Sequence, residues 1–162
     1  MSRRQIEISI ADQSLALCEA GSIIKIYRIS TARNGAGNQN GSGKTPLGRH
    51  RIRAAIGAQQ PMNAVFVGRR PTGEVYSEAL ARQHPQRDWI LTRILWLCGC
   101  EIGYNRLGNV DSQRRYIYIH GTPDSEPMGV PLSHGCIRMR NADILELFDE
   151  VSVGTVVTIR SA

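Results

Sequence analysis

Residues 118–138 read YIHGTPDSEPMGVPLSHGCIR, and they carry the strongest signal in the chain. An apolar, strand-like run ends at His120-Gly121, and a proline-bearing loop then leads to Ser133-His134-Gly135-Cys136. By average composition, an uninterrupted Ser-His-Gly-Cys would occur by chance in on the order of one chain in several thousand of this length. This pair of motifs is therefore specific enough to predict chemistry.

The residue types in this stretch suit nucleophilic catalysis. A cysteine attacks as its thiolate, and a histidine that titrates near neutral pH can take the thiol proton and later return it. His120 at a strand end and Cys136 after the return loop are expected to face one another, with the Gly121 carbonyl orienting the imidazole. Gly135 lets the backbone approach a substrate closely, so the amides of Gly135 and Cys136 are expected to bind an oxyanion.

The rest of the chain predicts one mostly β domain over residues 1–162. With 41% hydrophobic and 21% charged residues, the chain is globular rather than disordered. Short runs rich in β-branched and aromatic residues predict strands, and helical spacing of apolar residues after Asn141 predicts a C-terminal helix that Asn141 caps. The predicted strands are 6–10, 15–18, 23–29, 49–54, 64–67, 89–97, 116–120 and 155–159, with a short helix at 77–84.

A glycine-rich loop at 34–48 invites comparison with phosphate-binding loops because it contains Gly43-Lys44-Thr45. The first glycine of that motif is replaced by Asn38, and Pro46 follows where a helix would have to begin. We therefore predict no nucleotide cofactor, and expect a mobile or tightly turning loop.

Two further function classes follow from the residue types. His120, His134 and Cys136, with Cys98 or Cys100, are zinc-ligand types, but their spacing matches no closed zinc pattern, so no metal is predicted. The net charge of +6 and Arg114-Arg115-Tyr116 suggest nucleic acid, but the arginines are scattered, so no nucleic-acid partner is predicted. No apolar run is long enough to cross a bilayer, so no membrane partner is predicted either. The sequence leaves the oligomeric state open.

The motifs resemble the YkuD-type L,D-transpeptidase catalytic domain, and the resemblance spans nearly the whole chain. It rests on Gln13-x-Leu15, Thr45-Pro46-Leu47-Gly48, His120-Gly121-Thr122, Ser133-His134-Gly135-Cys136 and residues 141–148. It implies a β-sandwich of mixed sheets with a C-terminal capping helix. It also implies Cys136 as nucleophile, His120 as base oriented by the Gly121 carbonyl, and an oxyanion hole around Gly135.

The resemblance implies a reaction as well. Family members attack the L,D bond between meso-diaminopimelate and the terminal D-Ala of a peptidoglycan tetrapeptide, leaving a thioester. An amine acceptor then gives a cross-link or D-amino-acid exchange, whereas water gives a tripeptide. Since the N-terminus does not read as an export signal, we expect a cytoplasmic L,D-carboxypeptidase that acts on tetrapeptides or muropeptides in murein recycling, with transpeptidation as the alternative.

Substrate-binding roles are expected for three residues of the second motif: Ser133, His134 and Arg138. The guanidinium of Arg138 suits a substrate carboxylate, although an internal ion pair with an acid such as Asp143 is an equal alternative. Ser133 and His134 have structural alternatives too, because either can hydrogen-bond within the turn that carries the nucleophile. Segment 59–108 is expected to form a lid over a small substrate.

Overall fold

The computed structural model describes residues 3–162, which form ten strands and two α-helices. All eight predicted strands are present, with ends displaced by at most two residues. The predicted helix at 77–84 is present as well, and it begins after Ser77, whose hydroxyl accepts the Leu80 amide at 3.1 Å. The elements are β1 (Arg4–Ser9), β2 (Ser14–Glu19), β3 (Ser22–Ser30), β4 (Gly48–Ile56), β5 (Ala64–Val67), β6 (Arg70–Val75), α1 (Glu78–Gln83), β7 (Ile90–Gly99), β8 (Tyr118–Thr122), β9 (Ile137–Arg140), α2 (Asn141–Glu150) and β10 (Val156–Arg160).

Two strands were missed for identifiable reasons. β6 contains Pro71 and Gly73, which disfavour a strand interior and are tolerated here because β6 lies at the edge of the sheet. β9 has four residues and directly follows the nucleophile motif, so its sequence offers too few positions to show an alternation.

The strands form one sheet that closes on itself. Its order is β4-β10-β1-β2-β3-β9-β8-β7-β5-β6, and β4 also pairs with β7, so eight strands make a ring. Most pairs are antiparallel, but β1 with β10 and β8 with β9 are parallel. The prediction of a mostly β fold with mixed pairing and one C-terminal helix is confirmed. The layers of the predicted sandwich are parts of one continuous sheet.

The main core lies inside this ring. Alternate residues of β1, β2, β7 and β10 point inward, as the period of two requires, and α2 adds Ile144 and Leu147 from its apolar face. Both side chains are fully buried, and α2 packs against β7, β8 and β9. The helix therefore covers the inner side of the strands that carry the two signature motifs.

The prediction that Asn141 caps this helix is wrong. The N-cap is Arg140, without a side-chain hydrogen bond, and Asn141 is the first helical residue. Its fully buried amide donates to the Thr122 carbonyl at 2.9 Å and to Asn63 Oδ1 at 2.9 Å. A buried amide must be hydrogen-bonded, and these partners satisfy it more completely than the helix terminus would.

The part of segment 59–108 that forms β7 is not a lid. β7, which takes up residues 90–99, is an interior strand paired with β4, β5 and β8, and Leu91, Leu95 and Leu97 are fully buried. The β5–β6 hairpin lies outside the ring, and Gly68 and Arg69 in its turn reach the cavity described below. Neither helix in residues 3–162 has the length and apolar character that crossing a bilayer requires.

Candidate active site

The two signature motifs meet on the outer face of the ring. β8 and β9 pair in parallel with His120 opposite Arg138 and Ile119 opposite Ile137. Because side chains alternate along a strand, His120 and Tyr118 share one face with Arg138 and Cys136, whereas Ile119 and Ile137 point into the core. His120 and Cys136 line one cavity of about 560 Å³, as the sequence predicted for this pair.

The His120 ring is held in one tautomer. Its Nδ1 lies 2.6 Å from the carbonyl oxygen of Gly121, which can only accept a hydrogen bond, so Nδ1 carries the proton. Nε2 is left with the lone pair that a general base needs. Burial lowers the pKa of His120, and the Gly121 carbonyl only partly opposes that effect. The imidazole is therefore neutral at neutral pH.

Gly121 has no room for a side chain. A Cβ there would collide with Asn141 Oδ1 and with the carbonyl oxygen of Leu91. Asn141 also holds the neighbouring Thr122 carbonyl, so this network fixes the peptide that orients His120. The sequence predicted that Gly121 orients His120, but it did not predict Asn141 as the support.

The Cys136 thiol is held by backbone groups. Its Sγ accepts the Tyr118 amide at 3.3 Å and lies 3.3 Å from the Tyr116 carbonyl oxygen. Burial raises the pKa of Cys136 to about 12; the Tyr118 amide and the charge of Arg138 oppose this, and the charge of Asp88 adds to it. Both groups are thus neutral at neutral pH, so an attack by this sulfur would require its proton to leave at the same time.

Hydrogen bonds hold the turn that precedes Cys136 in one conformation. Gly135 has φ of +138°, which favours glycine. The Ser133 hydroxyl donates to the Cys136 carbonyl at 2.6 Å and accepts the Gly135 amide at 3.2 Å. The Gly135 amide is therefore engaged within the turn in this state. An oxyanion there would have to compete with Ser133, whereas the Tyr118 amide already points at the reacting sulfur.

The glycine-rich loop 34–48 supports this turn. The buried Thr45 hydroxyl donates to the Gly135 carbonyl at 2.9 Å and accepts the Ala32 amide at 3.0 Å. Arg115 donates to the carbonyls of Gly37 and Lys44. The loop is therefore of the tightly turning kind. Arg115, from the Arg114-Arg115-Tyr116 stretch of the sequence, therefore holds this loop in place.

Arg138 forms its ion pair with Asp88, not with Asp143. Arg138 Nη2 lies 3.2 Å from Asp88 Oδ1, and His134 Nδ1 lies 3.5 Å from Asp88 Oδ2. Asp143 is on α2, which covers the inner side of these strands. Arg138 is buried while His134 and Asp88 are largely exposed, and the three form a rim on the cavity, called the charged rim after its Arg138–Asp88 ion pair. Their roles toward substrate, like that of Ser133, stay predictions.

The opposite wall was missed by sequence reasoning. The Arg69 guanidinium lies 4.7 Å from the ring centroid of Trp96 and 4.8 Å from that of Tyr116, and it donates to Tyr118 Oη at 3.0 Å. Arg69 lies in the turn of the β5–β6 hairpin, two residues before Pro71, and the sequence predicted only that segment 59–108 as a whole lies over the substrate.

A second cavity of about 360 Å³ adjoins the first. The two share Asp88, His134 and Arg138, and the second extends toward Trp89 and Glu126. The charged rim is thus a common wall between two spaces.

The zinc interpretation has no support in the geometry of the described chain. Within residues 3–162, no three His, Cys, Asp or Glu side chains come together as a metal site. Cys98 and Cys100 line a different cavity from Cys136.

This chain is similar to known L,D-transpeptidases in sequence. The YkuD model of the L,D-transpeptidase catalytic domain matches residues 3–159. The probable L,D-transpeptidase YbiS of Escherichia coli (strain K12) is 51% identical over 41 residues, which cover 25% of this chain and 13% of YbiS. The putative L,D-transpeptidase YkuD of Bacillus subtilis (strain 168) is 46% identical over 46 residues, which cover 28% of each. The matched segments are therefore much shorter than these relatives.

Solved structures share the fold. The L,D-transpeptidase of Xylanimonas cellulosilytica DSM 15894 aligns with a TM-score of 0.62 and 20% identity, over 98% of this chain and 61% of that chain. L,D-transpeptidase 3 of Mycobacterium tuberculosis aligns with a TM-score of 0.61 and 14% identity, over 99% and 62%. At such low identity, the likeness concerns the fold.

Proposed function

This chain belongs to the YkuD family of L,D-transpeptidase catalytic domains, and on that basis we propose that it is a cysteine acyltransferase acting on peptidoglycan tetrapeptide stems. The observation that carries the proposal is the single cavity lined by Cys136 and by a His120 whose tautomer leaves Nε2 free. The scissile bond is the L,D bond between meso-diaminopimelate and the terminal D-Ala.

In the first half-reaction, Nε2 of His120 takes the thiol proton as Sγ of Cys136 attacks the meso-diaminopimelate carbonyl carbon. The tetrahedral oxyanion then collapses, the C–N bond breaks, and the leaving D-Ala amine receives the proton from Nε2. The product is a thioester and free D-Ala. We propose the amides of Gly135 and Cys136 as the oxyanion hole, with the Gly135 amide exchanging the Ser133 hydroxyl for the oxyanion.

In the second half-reaction, an acceptor attacks the thioester with His120 again as base. We propose water as the favoured acceptor, which yields a tripeptide and regenerates the thiol; the chain is then an L,D-carboxypeptidase of murein recycling in the cytoplasm. Two features support this. The cavity is of a size that holds a small soluble ligand, and all four cysteines are free thiols, a state that a reducing compartment maintains.

The alternative outcome is transpeptidation, and one observation favours it. The adjoining cavity shares the Asp88 rim, and a carboxylate there suits the amine of an acceptor stem or a D-amino acid. An amine held in that space would compete with water for the thioester.

Mass spectrometry of a meso-diaminopimelate tetrapeptide incubated with the protein, with and without an added D-amino acid, tests the proposal. We expect loss of D-Ala to give tripeptide, and no turnover by Cys136→Ala. A matched control is Cys98→Ala, which removes a half-buried thiol from a different cavity and should leave turnover unchanged.

The product ratio separates the two outcomes. Tripeptide in excess with the D-amino acid present supports hydrolysis. Exchange product or cross-linked dimer in excess makes the chain a transpeptidase. Turnover that survives Cys136→Ala would overturn the cysteine mechanism itself.

A further inference from the structure

A cavity larger than the one at Cys136 lies away from it. It has a volume of about 1050 Å³ and lies against the outer faces of β4 and β7, near Cys98 and Cys100. Its wall carries five arginines and no lysine: Arg49, Arg51, Arg53, Arg106 and Arg114. The acyl-transfer chemistry proposed above uses none of them.

Strand geometry accounts for three of these arginines. Arg49, Arg51 and Arg53 alternate on β4 with His50 and Ile52, which are buried, so the three guanidiniums project from the outer face. Successive members are about 6.6 Å apart along the strand. Arg106 and Arg114 come from the segment after β7, so the positive charge reaches the cavity from two separate parts of the chain.

The positive charge on this wall is only partly balanced. Within residues 3–162, no carboxylate forms an ion pair with any of the five arginines. The two acids on the wall, Glu101 and Asp111, leave an excess of three positive charges, and both accept backbone amides of the wall. Glu101 accepts the Arg49 backbone amide at 2.8 Å, and Asp111 accepts the backbone amides of Leu107 and Arg114 at 2.7 and 2.9 Å.

We propose that this cavity binds a small anion that carries phosphate, of the diphosphate class. Several guanidiniums converging from two chain segments can bind several phosphate oxygens at once through bidentate hydrogen bonds. A single carboxylate would bind only one guanidinium in this way, so it would use less of the wall. Among the described residues that line the cavity, none is aromatic, so it offers no surface on which nucleobases would stack, and a concave space suits a small ligand better than a strand of nucleic acid.

Cys98 provides a local reporter for occupancy. It lies on the β7 wall of the cavity with its Sγ 3.6 Å from the Arg51 carbonyl oxygen. Burial and the neighbouring Cys100 raise the pKa of Cys98, and the positive charges of Arg53 and Arg106 oppose them. A phosphate group bound by Arg53 and Arg106 would cover the thiol and neutralise the two positive charges that lower its pKa. Iodoacetamide would then alkylate Cys98 more slowly.

The test is a titration with inorganic pyrophosphate by calorimetry, alongside iodoacetamide alkylation followed by peptide mass spectrometry. We expect saturable binding and protection of Cys98, while alkylation of Cys136 in its separate cavity stays unchanged. The variant Arg53→Gln/Arg106→Gln should weaken pyrophosphate binding at least about tenfold. The matched control Arg28→Gln/Arg82→Gln removes the same charge from exposed positions elsewhere and should bind within about twofold of the parent.

Each other result overturns the proposal. Equal weakening by both double variants would mean that net charge alone attracts the anion. Citrate binding as tightly as pyrophosphate would contradict the phosphate class. An oligonucleotide that binds far more tightly and displaces pyrophosphate would make the surface a nucleic-acid site. Absence of binding and of Cys98 protection, with melting temperatures showing that both variants fold, would leave the cavity without this function.

Discussion

The strand pair β8–β9 has two faces that differ in what their side chains contact. On the inner face, Ile119 and Ile137 are fully buried in the main core under α2. On the outer face, His120 and Cys136 line a cavity. One strand pair thus contributes apolar burial on one side and positions reactive groups on the other. Rigid placement of the reactive pair follows from the packing beneath it.

The sharpest way to break this division is Cys136→Ala. We expect D-Ala release from a tetrapeptide to fall by at least about 10³-fold, because no other thiol lines the cavity and the nucleophile is lost. The free energy of unfolding should change by less than about 1 kcal/mol, since Cys136 is only partly buried against the small outer cluster of Ala64, Phe66, Ile94 and Tyr118. Turnover assays and urea unfolding measure both. A protein that unfolds on this change would contradict the separation of the faces.

His120→Gln should give the next largest effect. Glutamine can still donate to the Gly121 carbonyl but cannot take the thiol proton, so kcat should fall by about 10²- to 10⁴-fold. The rate of Cys136 alkylation at neutral pH should fall with it, which a purely structural role would not predict. Steady-state kinetics and alkylation rates check this. An unchanged alkylation rate would mean that His120 is not the base for this thiol.

The inner face is tested by Ile137→Ala, next to the nucleophile. Removing a fully buried isoleucine leaves a cavity, so the free energy of unfolding should drop by about 2–5 kcal/mol. Ile26→Ala is the matched control: Ile26 is 60% exposed on β3, and its loss should cost less than about 0.5 kcal/mol. Urea unfolding measures both. Equal losses would mean that burial does not distinguish these positions.

These contrasts also explain what the sequence predicted. Runs of β-branched and aromatic residues located eight of the ten strands, and the two motifs singled out His120, Gly121 and Cys136 as candidates, because both signals are local. Partners that come from distant parts of the chain cannot be read from such signals. Asp88, Arg69 and Asn141 join the site through tertiary packing, so the sequence offered Asp143 as a possible partner of Arg138 and a helix end for Asn141.

Substitutions of Thr45 test how strongly the buried hydrogen bonds behind the Gly135 turn control the active-site face. Thr45→Val keeps the shape but leaves the Gly135 carbonyl and the Ala32 amide without their buried partner, at a cost of about 1–3 kcal/mol. A looser nucleophile turn should also lower kcat. Thr45→Ser keeps the hydroxyl and should restore most of both. Unfolding and kinetics on the pair decide; if serine and valine behave alike, the hydrogen bonds do not matter.

The last contrast is a pH dependence of stability that the two buried histidines share. Burial lowers the pKa of His50 to about 4, against the opposing hydrogen bond of the Gly48 carbonyl, and burial lowers the pKa of His120 as well. Since the unfolded histidines titrate near 6.5, the unfolded chain binds more protons than the native protein below that pH. Stability is therefore fully present above about pH 6.5 and falls as the pH drops; for His50 the loss continues toward about pH 4, with a slope of at most about 1.4 kcal/mol per pH unit. His120 adds to the loss in the same direction.

Urea unfolding between pH 4.5 and 7.5 in the parent and in His50→Gln measures that slope. His50 points inward from β4 and contacts Ser112 at 2.8 Å, whereas His120 points outward into the cavity. His50→Gln should remove its own share of the slope and leave the pH dependence of turnover unchanged. His120→Gln should reduce the slope and also abolish the acid limb of kcat/KM, which the lowered pKa places below pH 6.5. An acid limb displaced by His50→Gln would mean that the two faces are electrostatically coupled and not separable as described.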